Sequence, residues 1–65
     1  MLMNLEVERV KRRLTRRQVS QELCISAQSY NAYVRERRPV PSTVLLRMAE
    51  LYHCSVDYLL QRSAI

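Results

Sequence analysis

The chain has 65 residues, a formal net charge of +5 and a sequence pI near 9.9, with eleven Lys and Arg against six Asp and Glu. A chain of this length supports one domain, which buries only about 60 % of its unfolded surface and leaves little room for a catalytic cleft. It has no run of about 18 apolar residues that would span a bilayer, and no glycine from which to build a phosphate-binding loop.

The opening "MLMNLEVERV" places acids before any base, the wrong order for a secretory leader, so a cytoplasmic protein is expected. Met3, Val7, Val10 and Leu14 recur at i, i+4, i+7 and i+11, which predicts a first helix with that stripe as its core face. Thr15 is an N-cap candidate, and Gln18 three residues later completes a capping box for a second helix. In that helix Val19 and Leu23 form an i, i+4 pair beside small Ser20. "CIS" interrupts the pattern. Ser26 then caps a third helix, with Ile25 and Tyr30 placed to form a hydrophobic staple and Tyr30, Tyr33 and Val34 as its inner face. "RERRPVPS" reads as a loop. Pro41 or Ser42 opens a fourth helix whose buried face is expected to be Leu45, Met48, Ala49 and Tyr52. After "HCS", Ser55 caps a short fifth helix with Asp57 near its positive end and Leu59 and Leu60 available to the core. No segment alternates like a strand. The expectation is an all-α fold of five short helices in one domain, residues 1–65.

The charge is unevenly placed. Residues 9–38 hold nine basic residues against Glu22 and Glu36, a balance of +7, and ten of the eleven basic residues in the chain are arginine. Such a surface attracts polyanions, and the planar guanidinium fork suits phosphate. The plainer account is a solvated cationic face. A lipid-binding helix would need large apolar residues exposed opposite the basic face, and here those residues are expected in the core.

Residues 15–34 have the pattern of a helix-turn-helix, in which one helix braces a second that lies in the major groove. Apolar residues fall where the helices would touch (Val19, Leu23, Ile25, Tyr30, Tyr33), and Ser20 falls at the close approach. The outward positions of the second helix are Ala27, Gln28, Ser29, Asn31 and Ala32. They are short and neutral where a merely solvated face would carry Lys and Glu. Flanking arginines complete an arrangement suited to base reading with phosphate anchoring.

With these motifs in order, the chain resembles the Cro/lambda-repressor-type (XRE-family) helix-turn-helix domains of bacteria and their phages. "LTRRQVSQELCIS" is similar to the family's usual "LTQEELAEKLGIS", and "YVRERRPVPSTVLLRMAELYHCSVDYLL" to its loop and last two helices. The resemblance implies a compact five-helix, lambda-repressor-like domain that binds double-stranded DNA, usually as a homodimer on a palindromic operator, in transcription regulation. It implies base contacts by Ala27, Gln28, Ser29, Asn31 and Ala32, with Gln28 suited to adenine N6 and N7. It places phosphate contacts on Thr15, Arg16, Arg17, Arg35, Arg37 and Arg38. Tyr33 is spaced as a core residue and is the foremost tyrosine for a phosphate contact. The protein would be a nucleoid-associated repressor of bacterial or phage origin.

The sequence departs from that pattern in four places. Cys24, Glu36 and His53 stand where glycine is common, and Arg16 where glutamine is usual. A left-handed backbone at Cys24 costs a residue other than glycine roughly 1 kcal/mol, so that turn is either strained or built differently.

Other functions find less in the sequence. Cys24, His53 and Cys54 fall short of the four ligands of structural zinc, and His53 lacks a catalytic constellation. No enzyme activity, metal, cofactor, membrane contact or small-molecule ligand is expected. The competing class is a protein-interaction module of the same fold, an antitoxin or adaptor, which would expose an apolar patch. RNA recognition would use exposed aromatics. Neither feature is evident in the sequence.

Overall fold

Hydroxyl residues start three of the helices, and a left-handed turn ends four of them. The computed structural model describes residues 1–61, in which α1 (Met3–Lys11), α2 (Arg16–Glu22), α3 (Ala27–Val34), α4 (Ser42–Tyr52) and α5 (Val56–Leu60) follow in order. No strand occurs among the described residues. The fold is therefore all-α with five helices, as the periodicity predicts.

The expected caps form. Thr15 Oγ1 accepts from the Gln18 N–H at 3.1 Å, and Gln18 Oε1 accepts from the Thr15 N–H at 2.8 Å, closing the capping box. Ser26 and Ser55 accept from the Ser29 and Tyr58 N–H groups, both at 3.1 Å. Pro41 precedes α4 without a side-chain cap.

Four of the described residues lie in the left-handed region, Arg13, Cys24, Glu36 and His53, at φ 56, 57, 58 and 52°. Each follows the end of a helix and closes it in the same way. At Cys24, its own N–H donates to the Gln21 carbonyl at 3.1 Å and the Ile25 N–H to the Ser20 carbonyl at 2.9 Å. Glu36 and Arg37 repeat the pair onto Tyr33 and Ala32, and Arg13 and Leu14 onto Val10 and Arg9. This is the Schellman arrangement, which satisfies carbonyls that a helix end otherwise leaves open. The turn at Cys24 thus has ordinary geometry with strain stored in it. Arg13, which the sequence did not single out, shares that strain.

The core gathers Leu2 and Leu5, Val19 and Leu23 of α2, Tyr30, Tyr33 and Val34 of α3, Val44, Met48 and Tyr52 of α4, and Leu59 of α5. α1 packs on α3 and α5, α2 on α3, and α4 on α5. Two long-range hydrogen bonds seat the first segment: Leu2 N–H to the Val34 carbonyl at 2.8 Å, and Asn4 Nδ2 to the Tyr58 carbonyl at 2.7 Å.

α1 overturns one expectation. Its apolar stripe faces outward, with Met3 40 %, Val7 45 % and Val10 60 % exposed, while Leu5, Glu6 and Glu8 are buried. The reason lies in what the other helices present. The opposite face of α1 meets guanidinium and phenol groups of α2, α3 and α5, so its carboxylates find partners there that its valines could not match. Leu14 alone of the stripe packs against the core. Smaller corrections follow: Leu60 is largely exposed, and Val44 is buried more deeply than Leu45 or Ala49.

Because Cys24 is exposed and held left-handed, Cys24→Gly should raise the unfolding free energy by about 0.5–1 kcal/mol. Urea denaturation checks this, and an unchanged or lower midpoint would show the turn to be unstrained.

Candidate nucleic-acid interface

α2 and α3 are locked at their crossing by Val19, Leu23 and Tyr30, all fully buried, with Ser20 buried where the backbones approach. The Ser20 hydroxyl donates back to the Arg17 carbonyl at 2.8 Å, so the small residue leaves no polar atom unpaired at this crossing. The left-handed Cys24 turns the chain between the two helices.

With its inner face on Tyr30, Tyr33 and Val34, α3 turns the expected base-reading positions outward. Ala27 and Gln28 are exposed, and Ser29, Asn31 and Ala32 are half-buried. A shallow cleft of about 270 Å³ brings Gln28, Asn31 and Ala32 together with Arg35 and Arg37. Among the described residues no side chain engages the Gln28 amide. Thr15, Arg17, Arg35, Arg37 and Arg38 are exposed as well.

The phosphate candidates divide into two kinds. Arg17, Arg35 and Arg37 have no side-chain partner among the described residues, so their guanidinium groups are available. Arg38 is held: its guanidinium lies 5.4 Å from the centroid of the Tyr33 ring, and Nη2 donates to Ser29 Oγ at 3.0 Å. Tyr33 itself is 8 % exposed and belongs to the core. Arg16 is also held, and its partner is a residue that the sequence did not single out.

That partner is Glu6, 8 % exposed overall. Its carboxylate accepts from Arg9 Nε at 2.7 Å, from the Tyr30 hydroxyl at 2.9 Å, and from Arg16 Nε and Nη2 at 2.9 and 2.5 Å. Arg16 Nη1 extends the chain to Asn31 Oδ1 at 3.0 Å. One buried carboxylate therefore joins α1, α2 and α3. A second, Glu8, accepts from Arg12 Nη1 at 2.6 Å and the Tyr58 hydroxyl at 2.9 Å, while Arg12 Nη2 reaches the Tyr52 carbonyl at 2.6 Å. The i, i+3 spacing of Glu6 and Arg9 and the i, i+4 spacing of Glu8 and Arg12 were visible signals for these pairs.

Burial by itself would raise the Glu6 pKa, but hydrogen bonds from Arg9, Tyr30 and Arg16 outweigh it and hold the carboxyl below its ordinary 4.5. Glu8 is likewise lowered, first by Arg12 and then by Tyr58. The Tyr30 hydroxyl is pushed up by burial and by its neighbours Tyr52 and Glu6, so it stays protonated and acts as a donor.

The pairing reduces the free basic surface. Of the nine basic residues in 9–38, Arg9, Arg12 and Arg16 are committed to Glu6 and Glu8, and Lys11 lies 3.8 Å from Glu8. What remains open clusters at the ends of α2 and α3, beside the outward face of α3. A braced pair of helices joined by a tight turn is the arrangement that the sequence comparison also identifies. This chain belongs to the helix-turn-helix family. The family model matches residues 5–59, from α1 to α5. It is a DNA-binding helix-turn-helix domain of the Cro/lambda-repressor type, typical of transcription regulators and of a family not typically enzymatic. Comparisons with curated proteins and with solved structures return no match. No helix among the described residues is long and apolar enough to cross a membrane.

Glu6 and Glu8 have folded-state pKa values below their ordinary 4.5, so their stabilisation is complete above that value and lost as pH falls through the folded values. The helix-turn-helix domain should therefore keep its stability from neutral pH down to about 5 and lose it progressively below 4.5. Glu6→Gln should cost at least about 2 kcal/mol at neutral pH, short of a fully buried pair because the Arg16 side chain is 41 % exposed. It should also flatten the acid slope. Chemical denaturation of both proteins across pH 3–7 reads each effect.

Proposed function

We propose that this domain is a sequence-specific regulator, a repressor of bacterial or phage origin, that reads the major groove with α3. In this reading two copies form a homodimer on a palindromic operator, with their α3 helices in successive major grooves about 34 Å apart. Occupying the operator blocks transcription. The protein then works on the nucleoid in the cytoplasm, and it needs no cofactor or small-molecule ligand for binding.

The observation that supports this best is the outward face of α3, where the exposed Gln28 lies beside Arg35 and Arg37 with no side-chain partner among the described residues. Gln28 is assigned to adenine N6 and N7, and Ala27 and Ala32 to thymine methyl groups. Ser29 and Asn31 complete the base-contacting set. Arg17, Arg35 and Arg37 are assigned to phosphates as free guanidinium groups. Thr15, Arg16, Tyr33 and Arg38 are assigned to phosphates as anchored ones, although Tyr33 is only 8 % exposed.

A second reading, a protein-interaction module without DNA readout, draws support from the exposed stripe of Met3, Val7 and Val10. An apolar face of this kind is what a partner-binding module presents. The two readings separate in one experiment, selection from a random duplex DNA pool at physiological salt. A regulator enriches a palindrome, whereas an interaction module leaves the pool unenriched.

On the enriched site, Gln28→Ala should cost about 1–3 kcal/mol and leave non-specific binding unchanged. Arg37→Ala should weaken binding to all sequences alike and reduce the salt slope by about 0.9, the value of one neutralised phosphate. Titrations at several salt concentrations distinguish the two. Sedimentation of the complex tests the dimer, which a single monomer on one half-site would refute.

A further inference from the structure

Like Ser29, which accepts from Arg38 Nη2, Asn31 is an outward residue of α3 whose side chain is already engaged before any DNA is present, and its partner lies on α2. Arg16 Nη1 donates to its Oδ1 at 3.0 Å, and Arg16 is itself clamped on Glu6 through Nε and Nη2. A guanidinium has donors and no acceptor, so only the amide oxygen of Asn31 can face it. The orientation of this carboxamide is thus forced by chemistry. Its Nδ2 group has no partner among the described residues, and Asn31 lines the cleft shared with Gln28, Ala32, Arg35 and Arg37.

We propose that Arg16 is a positioning residue that fixes Asn31 as a one-sided hydrogen-bond donor, so that Asn31 reads guanine or thymine. The proposal rests on the reading of α3 as the base-reading helix. An asparagine that pairs with adenine must turn both its oxygen and its nitrogen to the N6 and N7 edge of the base. Here the oxygen already accepts from Arg16 of α2, and the NH₂ group alone has no partner among the described residues. The matching edges are acceptors: guanine O6 and N7, which lie side by side, or thymine O4. Cytosine presents a donor at this edge and is the poorest match. Arginine at this place does what a lysine could not, because the planar fork spans a carboxylate on one side and an amide on the other. It also keeps two N–H bonds uncommitted, so the role is compatible with a phosphate contact by the same side chain.

The test uses the full chain and the site enriched from the random duplex pool, with each base pair of that site varied in turn. Five proteins are compared: wild type, Asn31→Ala, Arg16→Lys, the Asn31→Ala/Arg16→Lys double variant and Gln28→Ala. Arg16→Lys keeps the positive charge and removes the fork. The expected result is one guanine or thymine position at which discrimination falls at least about fivefold in Asn31→Ala, the value of a single hydrogen bond. Arg16→Lys should lose discrimination at the same position and by a similar factor, while other positions and the salt slope are kept. The double variant should lose no more. In the free proteins, NMR relaxation of the Asn31 side-chain amide should show it ordered in wild type and mobile in Arg16→Lys, with the backbone spectrum otherwise preserved. An adenine at the Asn31 position overturns the proposal, as does unchanged discrimination in Arg16→Lys or an equally ordered amide in both proteins. Gln28→Ala separates the two levels of failure. If it relaxes its own position while Asn31→Ala does nothing, α3 reads bases and the positioning role is wrong. If wild type enriches no site, the reading of α3 falls and the proposal falls with it.

Discussion

The Glu6 carboxylate is the point on which the arrangement of the first three helices depends. It is buried, it is ionised, and it accepts from groups on α1, α2 and α3 at once. A buried charge is tolerated only where its lone pairs are filled, and here three side chains fill them. The same bonds that settle the charge hold α1 against the crossing of α2 and α3. A pairing that is neutral for stability when compared with an apolar core can still select one geometry, because any other arrangement leaves the carboxylate unsatisfied. The outward face of α3 takes its direction from that selection, since Tyr30, at the core of α3, is bound directly to Glu6.

Burying charge on α1 has a second consequence. A short helix has two faces, and filling the inner one with Glu6, Glu8 and their arginines leaves Met3, Val7 and Val10 outside. It also withdraws Arg9 and Arg12 from the solvent-facing basic surface, since each is tied to a carboxylate of α1. The basic surface available to a polyanion is accordingly narrower than the count of arginines implies, with Arg17 on α2 and Arg35 and Arg37 after α3 among the exposed residues.

The turns tell a similar story about stability. Four helix ends place Arg13, Cys24, Glu36 and His53 in a conformation that glycine adopts freely and these residues do not. Each turn is closed by two backbone hydrogen bonds, so the strain is borne in exchange for satisfied helix ends. In a domain whose length limits its core, such strain is a sizeable part of the margin between folded and unfolded.

Much of this was legible in the sequence. Thr15 with Gln18, Ser26 and Ser55 are local signals, read by residues three positions away, and each starts its helix where expected. The crossing of α2 and α3 was legible too, because Val19, Ser20, Leu23 and Tyr30 follow the period of the helix. A left-handed backbone at Cys24 was one of two outcomes left open by the family resemblance, which puts Cys24 where glycine is common, and it is the one observed. The orientation of α1 could not. Its apolar period pointed Met3, Val7 and Val10 inward, and the decision lay with groups far along the chain: Tyr30, 24 residues from Glu6, and Tyr58, 50 residues from Glu8. The sequence by itself determined where the capped helices begin and which pair forms the helix-turn-helix, because caps and periodicity act within a turn or two. The tertiary structure alone decided which face of α1 is buried, which arginines stay free and how Asn31 is held. Those outcomes depend on whether a charge finds enough donors when distant helices meet.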